Sequence, residues 1–123
     1  MGAQRTVILP RRGEVYLTDF DPAFGAEIRK TRPALILQND AANRLSPITI
    51  VAAITSQFDY PLYPTEIFIS AGEAGLSIDS VIALNQIRST DKRRLVRRLG
   101  MVAHKTMENV DRALAVSLGL VPF

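Results

Sequence analysis

The chain has no cysteine, no tryptophan and a single histidine among its 123 residues. The lack of cysteine excludes a disulfide framework and a thiolate metal site, and it agrees with a reducing cytoplasm, which is the expected location. No apolar run approaches the roughly 20 residues of a membrane helix, so no membrane association is expected. The sequence has no glycine-rich phosphate loop and no Gly-x-Ser-x-Gly motif. Most familiar catalytic classes are therefore excluded.

In other respects the composition is that of an ordinary globular domain, with 47% hydrophobic and 22% charged residues. This length suits one domain with one hydrophobic core. We place that domain at residues 12–123, after a short N-terminal extension at residues 1–11. The first ten residues hold too short an apolar stretch for a secretory signal.

Positive charge is concentrated in two segments, although the net charge is only +3. Six of the fifteen Lys and Arg residues lie between Arg88 and Arg98, and a smaller group lies within residues 29–32. Such clusters can attract a polyanion. The alternative is a solvated face whose cations pair with nearby carboxylates. Those carboxylates are Asp91, Glu108 and Asp111. Charge alone leaves both interpretations open.

Hydrophobic periodicity predicts a β-rich domain that ends in a helix. Alternating residues predict a half-buried strand at 13–20, and segments that are apolar on both faces predict central strands at 33–38 and 48–55. The other predicted strands are 65–70, 80–88 and a short one at 95–99. Apolar residues at three- and four-residue steps predict an amphipathic helix over residues 106–118, which Gly119 ends. Together they predict a curved or barrel-like antiparallel sheet with a closing helix.

Two strand ends carry candidate functional residues. Arg32 lies between a polar loop at residues 21–31 and a buried strand, where a fixed cation is well placed to hold a phosphate. Thr55 ends an apolar strand and is followed by Ser56 and Gln57, so this lip can present hydroxyl and amide groups. On pattern alone the simpler interpretation is favoured, in which Thr55 and Ser56 start the loop by hydrogen bonds to local backbone.

Other candidates are weaker. Asp19, Asp21 and Glu27 are close enough in sequence for a Mg²⁺ site to be conceivable, but Pro22 favours a role as turn residues. His104 lies at the start of the final helix with no carboxylate near it in sequence, so we interpret it as a surface or capping residue rather than an acid–base catalyst. Neither a metal nor a cofactor is expected.

Several segments, in this order and at this spacing, carry a family resemblance. They are Arg12–Tyr16, then Asp19, Pro22, Gly25 and Glu27, and then Thr31–Asp40, Ile50–Gln57, Asp79–Arg88 and Asp91–Leu95. Any one of them alone would be a weak signal. Over residues 12–123 the chain resembles the MazF/PemK (Kid) family of toxin–antitoxin ribonucleases.

The resemblance implies an SH3-like β-barrel with a C-terminal helix, a mainly β fold with some α, and a homodimer. It also implies metal-independent, sequence-specific cleavage of single-stranded RNA, particularly mRNA. A cognate MazE-like antitoxin would block the RNA groove with an acidic, extended tail.

The resemblance also assigns site residues. Arg32 matches the family's catalytic arginine, Thr55 its catalytic threonine, and Glu27 a loop acid linked to activity in some members. The expected RNA-binding residues are Phe24, Arg29, Lys30, Ser56, Gln57, Asn85, Gln86 and Arg88. Two departures stand out: Ala26 replaces a serine found in some relatives, and the segment from Lys92 to Arg98 is unusually basic.

The chemistry of RNA agrees with this assignment, because RNA carries its own nucleophile, the 2′-OH. A protein needs only to align that oxygen and stabilise charge on the phosphoryl group, which a planar guanidinium does bidentately. Arginine stays protonated, so Arg32 is a poor general base and is expected to stabilise charge or to protonate the leaving group. Glu27 or water would then accept the 2′-OH proton. The expected products are a 2′,3′-cyclic phosphate and a 5′-OH.

Two rival functions use the same fold. CcdB-type relatives bind DNA gyrase without catalysis and rely on a tryptophan near the C-terminus, whereas this chain has no tryptophan and ends in Leu120-Val121-Pro122-Phe123. That difference favours the nuclease. The other rival is an RNA-binding barrel that has lost turnover.

Overall fold

A computed structural model describes residues 8–122 as one antiparallel sheet with a long C-terminal helix. The strands are β1 (Glu14–Asp19), β2 (Thr31–Ile36), β3 (Ile48–Thr55), β4 (Glu66–Ile69), β5 (Ser80–Asp91) and β6 (Leu95–Met101). The helices are α1 (Asp40–Leu45) and α2 (His104–Ser117). The predicted N-terminal extension lies outside the described residues as far as residue 7, and so does Phe123.

The six strands pair in the order β4-β5-β3-β2-β1-β6. Each predicted strand is present, and the mainly β class with a C-terminal helix is confirmed. The predicted barrel is not closed, because β4 and β6 are the two edges of the sheet and do not pair with each other. A short 3-10 turn at Glu73–Gly75 lies against edge strand β6 instead.

The two faces of the sheet bury different apolar sets. The main core lies between the sheet and α2 and includes Leu35, Ile54, Leu84 and Val110, all at most 1% exposed. Met107 and Leu114 pack against it, which confirms the predicted apolar stripe of the helix. The second core lies on the opposite face. Its buried members are Tyr16, Phe20, Ala34, Ile36, Val51, Ala53 and Leu95.

Helix α2 begins two residues earlier than predicted, at His104, because a distant carboxylate stabilises its first turn. The N-cap residue Ala103 has no capping side chain, and Glu73 takes over that role. One Glu73 carboxylate oxygen, Oε2, accepts hydrogen bonds from Ala103 N at 3.1 Å and from Thr106 Oγ1 at 2.6 Å. The negative charge of a carboxylate near a helix N-terminus also interacts favourably with the helix dipole. Gly119, with φ of 74°, follows the helix as predicted.

His104 was interpreted as a surface or capping residue, and only the premise that no carboxylate lies near it in sequence was wrong. His104 Nε2 lies 3.5 Å from Glu108 Oε1, one helical turn further along α2. Residues four apart share one helix face, which distance along the sequence conceals. The imidazole remains exposed at the surface, as expected.

Strand β5 contains an irregularity that matters for the site. Ala52 of β3 pairs with Ile87, but the next residue, Ala53, pairs with Ala83, so three residues of β5 bulge out. Bulges bend a strand and re-aim its side chains. The bulged residues are Leu84, Asn85 and Gln86, and two of them were predicted to bind RNA.

Neither of the described helices has the length and apolarity that crossing a bilayer requires. Within residues 8–122, no three His, Cys, Asp or Glu side chains are grouped so as to hold a metal ion.

Candidate active site

Arg32 and Thr55 come together at one end of the sheet, although 23 positions separate them in the sequence. The register of β2 and β3 pairs Ala34 with Ala53, and continuing it by two residues sets Arg32 opposite Thr55. The ladder itself stops earlier, since Pro33 has no N–H to donate. Residues directly opposite each other on antiparallel strands have Cβ atoms roughly 5 Å apart and share a face. This end of the sheet therefore carries a cation on β2 and a hydroxyl on the neighbouring strand β3.

The loop between β1 and β2 covers residues 20–30, and Arg32 is the second residue of the strand that follows it. Phe20 N donates to Lys30 O at 2.9 Å and closes the base of the loop. Asp19 Oδ1 accepts from Asp21 N at 3.0 Å, and Asp21 Oδ1 accepts from Lys30 N at 2.9 Å. These two carboxylates therefore serve as turn residues, which agrees with the interpretation that Pro22 favoured.

Inside this loop the predicted site residues bond mainly to one another. Glu27 Oε1 accepts from Phe24 N at 2.5 Å, and Arg29 Nη2 donates to Gly25 O at 2.9 Å. Arg32 Nε donates to Arg29 O at 3.0 Å, so the position of the Arg32 guanidinium depends directly on the conformation of the loop. The Arg32 Nη atoms make no hydrogen bond to residues 8–122 and are available to an anion.

A groove of about 290 Å³ opens beneath the loop, and we call it the loop groove. It brings together four predicted site residues, namely Phe24, Glu27, Gln86 and Arg88. Arg88 Nη1 donates to Phe20 O at 2.7 Å, and its guanidinium carbon lies 6.0 Å from the centre of the Phe20 ring. Phe24 is 83% exposed at the rim, where an aromatic face is free to stack on a base.

Arg32 and Ser56 do not line the loop groove. They line a separate groove of about 330 Å³, which we call the arginine groove. The remaining predicted residues line neither one. These are Thr55, Gln57, Asn85, Arg29 and Lys30. The structure thus divides the predicted residues between two cavities and the strand ends.

The hydroxyl of Thr55 already accepts one hydrogen bond, from Gln57 N to Thr55 Oγ1 at 3.1 Å. This is the local backbone contact that the simpler interpretation predicted. A hydroxyl also donates one proton, so Thr55 can still donate to a phosphate oxygen.

Gln86 reaches from the β5 bulge to the loop rather than into solvent. Gln86 Oε1 accepts from Ile28 N at 3.3 Å, and Gln86 Nε2 donates to Ala26 O at 3.4 Å. The sequence suggested only an RNA contact here, because no local pattern shows that the side chain meets a loop about sixty residues away.

Replacing Gln86 by leucine should therefore loosen the loop. Loss of about 1 kcal/mol of net hydrogen bonding should make hydrogen exchange at Ile28 N–H roughly fivefold faster. The exchange rate is measured by NMR, with Asn85→Leu in the same bulge as the control. Equal exchange in both variants would contradict this contact.

Two of the six cations between Arg88 and Arg98 form ion pairs, as the solvated-face interpretation expects. Arg93 and Arg98 form ion pairs with Asp91 at 3.0 Å and with Glu14 at 2.5 Å. Hydrogen bonds from Arg93 lower the pKa of Asp91 to about 2. Two carboxylates proposed for this face have other partners: Asp111 pairs with Arg12, and Glu108 lies beside His104.

Arg94 is a positioning residue that sequence reasoning missed. Its Nη1 atom donates to the carbonyl oxygens of Asp19, at 3.3 Å, and of Asp21. It thereby holds the start of the loop from the short 3-10 turn Lys92–Arg94, which joins β5 to β6. The basic run was the available signal, but it did not distinguish this arginine from its neighbours.

Burial in the second core raises the pKa of Tyr16. Negative charge on Glu14 adds to this shift, and Arg98 opposes it. Tyr16 therefore stays protonated at neutral pH.

Comparison with known proteins extends over nearly the whole chain. A family described as PemK-like, MazF-like toxin of type II toxin–antitoxin system matches residues 11–118. Endoribonuclease EndoA of Bacillus subtilis (strain 168) is 44% identical over 116 residues, which covers 94% of this chain and 100% of that protein.

Solved structures agree with that match. MazF (Form-I) from Deinococcus radiodurans has a TM-score of 0.79 at 27% identity, covering 92% of this chain and 99% of its own. A mycobacterial endoribonuclease solved in complex with its cognate antitoxin has a TM-score of 0.76 at 27% identity, covering 93% and 98% of the two chains.

Proposed function

This chain belongs to the PemK-like, MazF-like toxins of type II toxin–antitoxin systems, and we propose that it cuts single-stranded mRNA at a specific sequence. It is an endoribonuclease of the MazF type, like its relatives from Bacillus subtilis and mycobacteria. The observation that carries the proposal is that Arg32 and Thr55 lie on neighbouring antiparallel strands at the same end of the sheet, where Arg32 lines the arginine groove.

In the proposed reaction the RNA supplies the nucleophile. The 2′ oxygen attacks the adjacent phosphorus, the bond from phosphorus to the 5′ oxygen breaks, and a 2′,3′-cyclic phosphate forms. The 2′-OH proton passes to Glu27 or to water, and the departing 5′ oxygen takes up a proton. Arg32 stabilises charge on the phosphoryl oxygens and supplies that second proton. Thr55 anchors the phosphate by donating its hydroxyl proton.

Substrate binding is assigned to the loop groove and its rim. Phe24 offers an exposed aromatic face for a base, and Arg88 keeps further N–H donors besides the one that holds Phe20 O. Arg29 and Lys30 are exposed at the end of the loop, where they attract the phosphate backbone. Gln57 and Asn85 are exposed polar side chains that can read base edges.

The proposed partners follow from the same surface. A cognate MazE-like antitoxin with an acidic tail would compete with RNA for these cations. Antitoxin complexes are known for structural relatives from mycobacteria and Deinococcus radiodurans. The proposed assembly is a homodimer in the cytoplasm, with a groove to which both copies contribute. The comparisons favour the ribonuclease over the gyrase-binding alternative, since these relatives are named endoribonucleases.

The products test the proposed function. Purified protein is expected to cut a single-stranded RNA into fragments with 5′-OH and 2′,3′-cyclic phosphate ends, with no loss of rate in a metal chelator. The reason is that the 2′-OH, and not a metal-activated water, is the nucleophile. Kinase labelling without prior phosphatase treatment detects the 5′-OH, and mass spectrometry identifies the cyclic phosphate.

Arg32→Ala protein, purified in parallel, controls for contaminating ribonucleases. Fragments with 5′-phosphate and 3′-OH ends, or cutting that the chelator stops, would contradict the proposed reaction.

A further inference from the structure

The arginine groove contains a second cation, Arg97, that the proposed reaction does not use. Arg97 of β6 pairs with Leu17 of β1, which pairs with Pro33 of β2. Together with Ile54 these residues form a row across four strands, and all of them line the groove. Two strand spacings separate β6 from β2, so the Arg97 backbone lies about 10 Å from the strand that carries Arg32.

The polar lining of this groove favours an anion. It contains Arg32 and Arg97 together with Ser56, Ser77 and Ser80, and none of the described residues that line it is acidic. The loop groove differs in this respect, because Glu27 lines it alongside Arg88.

Within the basic segment from Arg88 to Arg98, Arg97 is the cation whose guanidinium is free. It is exposed and donates no side-chain hydrogen bond to any residue between 8 and 122. Arg93, Arg94 and Arg98 are each engaged with a carboxylate or a carbonyl oxygen. Strand alternation separates Arg97 from Arg98 as well, since Arg98 pairs with Tyr16 on the face of the second core.

The floor of the groove is apolar. Leu17, Pro33, Ile54, Leu76 and Leu99 contribute to it, and Ile78 is 57% exposed beside them. An apolar floor with cations and hydroxyls around it matches a nucleotide, which joins an anionic phosphate to a base with apolar faces. A volume of about 330 Å³ lies within the range of small-molecule sites.

Residues 75–80 form one wall of the groove, and contacts made by residues 72–76 hold this wall in place. Gly75 packs so closely on β6 that an added Cβ would lie 2.1 Å from Leu99 O. Gly72 N donates to Leu76 O at 2.7 Å, and Glu73 connects the same segment to the start of α2. Because the groove is already formed, binding costs little ordering of the protein.

We propose that the arginine groove is a second RNA subsite, in which Arg97 binds a phosphate next to the scissile one and the apolar floor receives that nucleotide's base. This subsite rests on the proposed function and deepens it. The scissile phosphate lies at Arg32, and the RNA continues from there towards β6. Arg97 contributes to affinity and not to the chemical step.

The test is Arg97→Ala, measured with an RNA made resistant by a 2′-deoxy nucleotide at the mapped cut. Fluorescence anisotropy from 50 to 200 mM salt should show several-fold weaker binding. The slope of log K against log salt concentration should decrease in magnitude by about 0.7, which is the contribution of one phosphate contact with a single strand. With cleavable RNA, KM should rise while kcat is kept. Arg97→Lys should retain most of the salt dependence, because the charge is preserved.

Arg44→Ala is the matched control, since Arg44 is exposed on α1 at the opposite end of the sheet. Its binding and salt dependence should equal those of the wild type. If Arg97→Ala also equals the wild type while the wild type cuts RNA, the subsite is wrong and the ribonuclease function stands. If Arg97→Ala weakens only an acidic antitoxin peptide, the groove belongs to a protein partner and the subsite is again wrong. A wild-type protein that neither cuts nor binds RNA would overturn both proposals.

Discussion

Replacing Arg32 by alanine is expected to lower kcat for RNA cleavage by roughly a thousandfold or more, the range seen when an arginine that stabilises a transferring phosphoryl group is lost. Charge builds on the phosphoryl oxygens as the 2′ oxygen attacks, and a planar guanidinium meets two of those oxygens at once. KM should change much less, since the interaction strengthens in the transition state. Single-turnover cleavage of a labelled RNA measures the effect.

Two variants keep this result interpretable. Arg32→Lys should recover little of the rate, because an ammonium group preserves the charge but not the bidentate geometry. Arg44→Ala removes the same charge at the far end of the sheet and should cut like the wild type.

The fold of Arg32→Ala is checked separately. Loss of the Arg32–Arg29 contact costs about 1 kcal/mol or less, so the thermal midpoint should fall by only a few degrees. In cells, induced wild type should arrest growth and leave cut mRNA ends, whereas induced Arg32→Ala should not. A folded variant that cuts at the wild-type rate would remove Arg32 from the mechanism.

A 2′-deoxy substitution at the nucleotide 5′ to the cut is expected to abolish cleavage. The proposed nucleophile is then absent, and positioning by the protein cannot replace a missing reactant. The substitution removes a single oxygen and leaves every phosphate in place, so binding should be nearly unchanged. Gel analysis of the substituted oligonucleotide after a long incubation tests for residual cutting.

The same oligonucleotide with the deoxy position moved two nucleotides away is the control, and it should be cut at close to the normal rate. Cutting of the oligonucleotide substituted at the scissile position would require an external nucleophile, and the 2′-OH mechanism would be abandoned.

The strand and helix predictions succeeded where the pattern was local. The apolar run of residues 48–55 became β3 with those bounds, and the apolar stripe of α2 packs into the main core. The errors arose from contacts distant in sequence. Glu73 extends α2 back to His104, and the lack of pairing between β4 and β6 leaves the predicted barrel open.

The candidate site likewise combines residues that the sequence identified with contacts that only the structure showed. Arg32 and Thr55 were selected from strand ends and from a family resemblance, and the antiparallel pairing of β2 and β3 brings those strand ends to the same end of the sheet. No local pattern showed that Gln86 meets the loop, that Arg94 holds its first residues, or that Arg97 shares a groove with Arg32. These three contacts depend on how strands far apart in the chain are paired.

The sequence by itself determined the absence of thiol chemistry, the β-rich class, the closing helix and the two strand ends that carry Arg32 and Thr55. Composition and short-range periodicity are enough for these, because each depends on residues a few positions apart. Only the tertiary structure decided which cations are free and which are engaged. Arg98 lies against Glu14, whereas Arg97, one residue earlier, faces the arginine groove. Neighbouring residues of a strand point to opposite faces of the sheet, so the partner of each is set by the strands beside it.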